Sequence, residues 1–92
     1  MIFEVIISES ALKQVRKLER ESIHRIKKHL PVLKEDPFKK RSGADIKKLK
    51  GFKNPELYRL RVGDYRLVYS ALKNKVKITE VFHRSRGYSW LD

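Results

Sequence analysis

The sequence predicts an α+β domain in the order β-α-α-β-β-β, with two N-terminal antiparallel helices packed on one face of a small, mainly antiparallel sheet. Two observations predict it. Apolar residues recur at helical spacing only in the first third of the chain, and the stretch Leu57 to Tyr69 alternates with period two around Gly63-Asp64. A length of 92 residues suits a single domain spanning 1–92 with one modest core.

The N-terminal segment Phe3 to Ile7 is β-branched and aromatic, as a first strand should be. Ser8 follows as a helix N-cap, with Glu9 well placed against the helix dipole. Ala11, Leu12, Val15 and Leu18 then define one apolar helical face, and Ile23, Ile26, Leu30 and Leu33 define another. Glu19-Arg20-Glu21-Ser22 reads as the junction between them, with Ser22 as a second cap. Pro31 predicts a kink or an early end to the second helix, and Asp36-Pro37 closes the helical region. Residues 38–56 read as a long, basic, irregular loop.

In the hairpin, Gly63-Asp64 is a two-residue turn of the Gly-X kind, which fixes the register. Val62 then faces Tyr65, Leu60 faces Leu67, Tyr58 faces Tyr69 and Arg61 faces Arg66. Tyr58, Leu60, Leu67 and Tyr69 turn to the helices, against Leu12, Val15, Ile26 and Leu30. The opposite face presents Arg59, Arg61 and Arg66. A last strand, Lys75 to His83, follows a turn at Lys73-Asn74. A three-residue loop there puts Arg84 on the parity of Arg61 and Arg66; a two-residue loop puts His83 there instead.

Charge supplies the functional argument. Twenty-three Lys and Arg stand against eleven Asp and Glu, a formal +12. That balance points to a polyanionic partner: nucleic acid, an acidic protein or an anionic membrane surface. Membrane binding is the weakest of these, because the sequence has no long apolar run, no secretory-type segment and no lipidation motif. The absence of cysteine excludes disulfides and thiolate–zinc sites and fits a cytoplasmic protein. His24 and His29 lie five apart, off the spacing that shares a helix face, so no metal site is expected. No cofactor-binding motif is present, and Glu80 and Asp64 read as isolated carboxylates.

Like charges opposed across a ladder destabilise a sheet unless they splay into water or hold an anion. Three arginines on one sheet face favour a bidentate phosphate site. Lys47, Lys48 and Lys50 would extend its footprint along a nucleic-acid backbone. Tyr88, four residues beyond Arg84, is a candidate to stack on a base or exchange a proton, and also a candidate for simple packing, as is Trp90. His83 is a candidate acid or base, or a structural histidine.

Lys48-Leu49-Lys50-Gly51, Tyr58-Arg59-Leu60-Arg61, the run Val62 to Tyr69 and His83-Arg84-x-x-x-Tyr88 resemble the RelE/ParE toxin superfamily, its RelE branch most closely. The resemblance covers nearly the whole chain. It implies the toxin of a type II toxin–antitoxin pair, countered by an acidic, helical, RelB-like antitoxin. It further implies a metal-independent, ribosome-dependent endoribonuclease that cuts mRNA in the A site by attack of a 2′-hydroxyl on its own phosphate. Carried across, Arg66 and Arg84 would brace the phosphate, and Arg59 and Arg61 would fall on basic catalytic positions. Tyr88 would fall on the family's C-terminal tyrosine, while Lys48, Lys50, Arg86 and His83 would contact RNA. Where the best-known member has lysines, this sequence has Arg59 and Arg61. Arginine is effectively always protonated, so the proton acceptor falls to Lys50, His83 or Tyr88. The alternatives are a ParE-like poison of DNA gyrase and a non-catalytic basic nucleic-acid-binding domain.

Overall fold

The computed structural model describes residues 2–86; Tyr88 and Trp90 lie outside the described residues. The elements are β1 (Glu4–Ile7), α1 (Glu9–Arg16), α2 (Arg20–Glu35), β2 (Asp45–Lys48), β3 (Tyr58–Val62), β4 (Tyr65–Leu72) and β5 (Lys75–His83), then a single 3-10 turn at Arg84–Arg86. The sheet order is β1-β5-β4-β3-β2. Only β1 pairs in parallel, with β5; the remaining ladders are antiparallel. The expected fold class therefore holds, with one strand more than expected. β2 forms inside the segment read as an irregular loop, Asp45 facing Arg61 and Lys48 facing Tyr58. Its four residues, three of them charged, carry no alternation to announce a strand.

Ser8 caps α1 as expected, accepting from the Ala11 N–H at 3.1 Å. The second cap differs. Glu19 is the N-cap of α2, in extended conformation, and Ser22 lies inside the first turn. Pro31 does not end α2, which runs on to Glu35. The ring sits on the exposed side, while fully buried Leu33 anchors the turn beyond it. Asp36 is the C-cap and turns the chain. Its carboxylate accepts from the N–H groups of Phe38 and Lys39, at 2.8 and 3.2 Å, and the Phe38 bond holds its pKa below the usual carboxylate value.

Both helices cover one sheet face. Ala11 and Val15 of α1 and Ile26 and Leu33 of α2 meet Tyr58, Leu60, Val62, Leu67, Tyr69, Val76, Ile78 and Val81 in one core cluster. Tyr69 is fully buried there and donates to the Pro37 carbonyl at 2.6 Å. The opposite face is less open than expected. Leu49, Phe52 and Leu57 pack on Val68 and Phe82 in a second apolar cluster. Leu49, Phe52 and Leu57 thus cover part of this face, from Val68 to Phe82.

The hairpin register is the expected one at every pair. Gly63 takes φ +57°, the left-handed region that a Gly-first turn requires. At the second turn Leu72 pairs with Lys75, so Lys73-Asn74 is a two-residue loop, with φ of +51° and +65°. By itself that loop would put His83 on the face of Arg66. A β-bulge intervenes. Tyr69 pairs with Ile78 but Val68 pairs with Glu80, leaving Thr79 as an extra residue in β5. Beyond it the parity is restored: Arg66 faces Phe82, and His83 faces Tyr65. Helix α1 pins the bulge. The Ser8 and Ser10 hydroxyls donate to the Thr79 carbonyl at 3.3 and 3.4 Å, and the Gln14 side-chain oxygen accepts from the Val81 N–H at 2.8 Å.

Candidate functional site

The Gly63-Asp64 turn and the end of β5 lie together. The Arg84 N–H donates to the Asp64 carbonyl at 2.8 Å. This end of the sheet collects Arg61, Arg66, His83 and Arg84. The four arginines expected in the site divide into two kinds.

Arg59 and Arg66 are buried, 5% and 3% exposed. Arg59 Nη1 donates to the backbone and carboxylate oxygens of Asp45, at 3.1 and 3.3 Å. Arg66 Nη1 donates to the carbonyls of Gly63 and Tyr65, both at 3.1 Å. Those two acceptors belong to the hairpin turn and the strand leaving it, so Arg66 sets the turn's shape as well as its charge. A buried cation without acceptors would be strongly disfavoured, and both residues keep theirs.

Arg61 and Arg84 have half-exposed side chains, 51% and 58%. Each rests on a carboxylate at long range: Arg61 Nη1 is 3.8 Å from Asp45 Oδ2, and Arg84 Nε is 3.5 Å from Asp64 Oδ1. Asp64, read from sequence as isolated, is therefore an ion-pair partner. Pairs this exposed contribute little, about 0–1 kcal/mol each. An incoming phosphate can take the place of either carboxylate.

His83 has its Nδ1 engaged. It accepts from the Ser85 N–H at 3.1 Å and lies 2.8 Å from the Ser85 hydroxyl. The neutral ring therefore carries its proton on Nε2, an assignment made from that backbone donor. Toward a ligand, Nε2 is a donor. The ring also meets Tyr65 edge-on, with centroids 5.3 Å apart. Ser85 thereby ties His83 to the 3-10 turn of Arg84–Arg86, where Arg86 is exposed.

The lysines sit elsewhere. Lys47 faces Arg59 across the β2–β3 ladder and is exposed. Lys48 lies at the far end of β3 from the Gly63 turn, roughly 10 Å along the sheet from Arg61 at the usual strand rise, and Lys50 follows beyond the end of β2. Lys48 Nζ is 3.2 Å from Glu56 Oε2, which also accepts from the Tyr58 hydroxyl at 3.3 Å. Burial, with the Glu56 charge adding to it, raises the Tyr58 pKa above the ordinary value. Lys50 is exposed on the wall of a shallow hollow of about 450 Å³ formed with Phe52, Lys53 and Glu56.

Sequence reasoning missed Arg25. A Cβ placed on Gly63 would lie 3.1 Å from Arg25 Nη1 and 3.5 Å from its Cδ, so this α2 side chain lies directly against the hairpin turn. Nothing local in the sequence marks it out, since Glu21 four residues earlier reads as an ordinary helix-surface pair.

Known proteins share this fold. The family model for the ParE toxin of the type II toxin–antitoxin system parDE matches residues 5–88. A Methanocaldococcus jannaschii protein named "Putative toxin RelE1" is 36% identical over 88 residues, spanning 95% of this chain and 94% of its own. A chain of the archaeal RelE–RelB complex from Pyrococcus horikoshii superposes with a TM-score of 0.79 at 29% identity, covering 95% of this chain and 100% of that one. A chain of the intact RelBE toxin–antitoxin complex from E. coli gives 0.70 at 32% identity, covering 91% and 99%. By sequence and by fold, this chain belongs to the RelE/ParE superfamily and is a RelE-like toxin of a toxin–antitoxin system.

Proposed function

We propose that this toxin is a RelE-type endoribonuclease that cuts mRNA in the ribosomal A site, and that a cognate acidic, helical, RelB-like antitoxin restrains it. One observation carries the reading: Arg66 and Arg84 meet where the β3–β4 turn joins the end of β5, with Arg61 directly across the ladder from Arg66. In the reaction the 2′-hydroxyl oxygen bonds to the adjacent phosphorus, and the bond to the 5′-oxygen breaks. The products are a 2′,3′-cyclic phosphate and a free 5′-hydroxyl. The pentacoordinate transition state gathers negative charge, which fixed guanidiniums stabilise without rearranging. Buried Arg66 is held in place by two carbonyls, while half-exposed Arg61 and Arg84 can exchange carboxylate for phosphate.

Proton transfer is divided from this charge work. His83 presents Nε2–H, which suits it to contact the substrate as a donor. Of the candidates for taking the 2′-hydroxyl proton, Tyr88 is the one kept, because Lys50 lies beyond Lys48, at the end of the sheet away from the arginines. Arg59, Lys48 and Arg86 complete the proposed set, and the ribosome supplies the remaining positioning. The partner reading draws support from the fold's likeness to RelE–RelB and RelBE complexes. A +12 toxin is also the electrostatic complement of an acidic antitoxin.

The test is cleavage of mRNA on translating ribosomes, mapped by primer extension. Wild type is expected to give codon-dependent cuts that disappear in Arg66→Ala, Arg84→Ala and Tyr88→Phe. Intact mRNA overturns the reading. Because the matching family model is that of ParE, the second reading is a gyrase poison, and gyrase-linked DNA breaks with intact mRNA would establish it.

A further inference from the structure

We infer that Arg25 carries the anion-binding surface off the sheet and onto α2, where it contacts a second phosphate of a single-stranded RNA, next to the one held by Arg66 and Arg84. This rests on the proposed nuclease reading and adds a residue and a direction to it.

Three arginines from three elements meet on two turn residues. Arg25 lies against Gly63 with its Nη1 and Cδ in contact range of the position a Cβ would occupy. Arg66 Nη1 donates to the Gly63 carbonyl. Arg84 donates from its backbone to the Asp64 carbonyl and rests its Nε 3.5 Å from the Asp64 carboxylate. Glycine is needed at position 63 for its φ of +57°, and its missing Cβ lets Arg25 lie close against the turn.

The Arg25 guanidinium is held as those of Arg61 and Arg84 are. Its Nη2 is 3.4 Å from Glu21 Oε1, with both side chains more than half exposed. Arg61, Arg84 and Arg25 each stand on one carboxylate, Asp45 (shared with buried Arg59), Asp64 and Glu21 respectively, and each can trade it for a phosphate oxygen. A single strand passing over the turn can therefore meet Arg84 and Arg25 in succession, and planar guanidiniums accept phosphates bidentately.

The experiment measures affinity for a short 2′-O-methyl RNA oligonucleotide, which lacks the attacking hydroxyl, across a salt series. Arg25→Ala is expected to weaken binding about five- to tenfold at low salt and to lower the log–log salt slope by about 0.7, the value for one phosphate of a single strand. Arg25→Lys should keep the slope and lose part of the affinity. Lys34→Ala removes the same charge from the far end of α2 and should change the slope far less. Equal affinities and slopes in Arg25→Ala and Lys34→Ala overturn the inference while leaving the proposed function standing. Wild-type protein that binds this RNA through Arg25 yet leaves mRNA intact on ribosomes overturns the proposed function and keeps the contact. Thermal melting of each variant keeps a folding defect from being mistaken for a lost contact.

Discussion

Arg61 and Arg66 stand directly opposite one another across the β3–β4 ladder, yet their guanidiniums part. Arg66 turns back to the carbonyls of Gly63 and Tyr65 and is buried; Arg61 reaches toward Asp45 on the neighbouring strand and stays half in water. Arg66 therefore holds the turn as well as adding charge to the site, while Arg61 lies open to a ligand without a structural duty. Arg66→Ala strips a charged donor from two turn carbonyls and is expected to cost at least about 2 kcal/mol of folding stability as well as toxicity. Arg61→Ala should change stability by less than about 0.5 kcal/mol while toxicity still falls. Urea denaturation beside growth arrest on induction checks both. Equal destabilisation of the two variants would contradict the division.

Gln14 serves the site from a distance. Its side-chain oxygen accepts the Val81 N–H just past the bulge that sets the face of Arg84. Gln14→Ala leaves that N–H unpaired in a partly buried place, at a cost of about 1–2 kcal/mol. The end of β5 should loosen first, so amide exchange at Val81 and Phe82 should quicken more than at Leu67. Unchanged exchange at Val81 would mean that the sheet holds the bulge without α1.

Tyr69 links pH to stability. Burial drives its phenol pKa above the ordinary value of 10.0, and its hydroxyl donates to the Pro37 carbonyl at 2.6 Å. A pKa raised on folding contributes stability that is fully present below the unfolded value. It is lost as pH rises beyond about 10, where the unfolded chain releases its proton and the folded one does not. Tyr69→Phe should cost about 1–3 kcal/mol at neutral pH through the orphaned carbonyl. It should also flatten the alkaline decline of the melting temperature. Tyr58, shifted the same way but with its hydroxyl donating to the Glu56 carboxylate, serves as the comparison, and Tyr58→Phe should flatten the decline less.

The hairpin was legible because its information is local: Gly63 permits one turn, and the turn fixes every pair that follows. Helix faces and the Ser8 cap were legible for the same reason. What escaped was decided by distant parts of the chain. Thr79 looks like any strand residue, and its bulge exists because Ser8, Ser10 and Gln14 of α1 satisfy the groups that the ladder leaves over. Asp45–Lys48 becomes a strand because the edge of β3 and the Arg59 guanidinium offer it partners, not because its residues favour extension. Pro31 argued locally for a break, and burial of Leu33 overrode it. In the site the expected parity of Arg59, Arg61 and Arg66 was right, but parity does not report burial, and only packing separates the buried pair from the exposed Arg61. Arg25 was invisible because its partner is 38 residues away, at Gly63.

Asp64 supplies the sharpest test of whether the exposed arginines are held in reserve by carboxylates. Its backbone carbonyl already anchors Arg84 through the N–H bond at 2.8 Å, so removing only the side-chain charge should leave the local backbone in place. Asp64→Asn breaks an exposed ion pair whose loss should lower stability by no more than about 0.5 kcal/mol. It also frees the Arg84 guanidinium from its competitor and raises the local positive potential. Affinity for uncleavable single-stranded RNA should therefore rise about two- to fivefold near 0.1 M salt, with a slope that steepens by up to about 0.7 and the gain vanishing at high salt. A fall in affinity would show that Asp64 positions Arg84 for the phosphate, making the carboxylate part of the site rather than its placeholder.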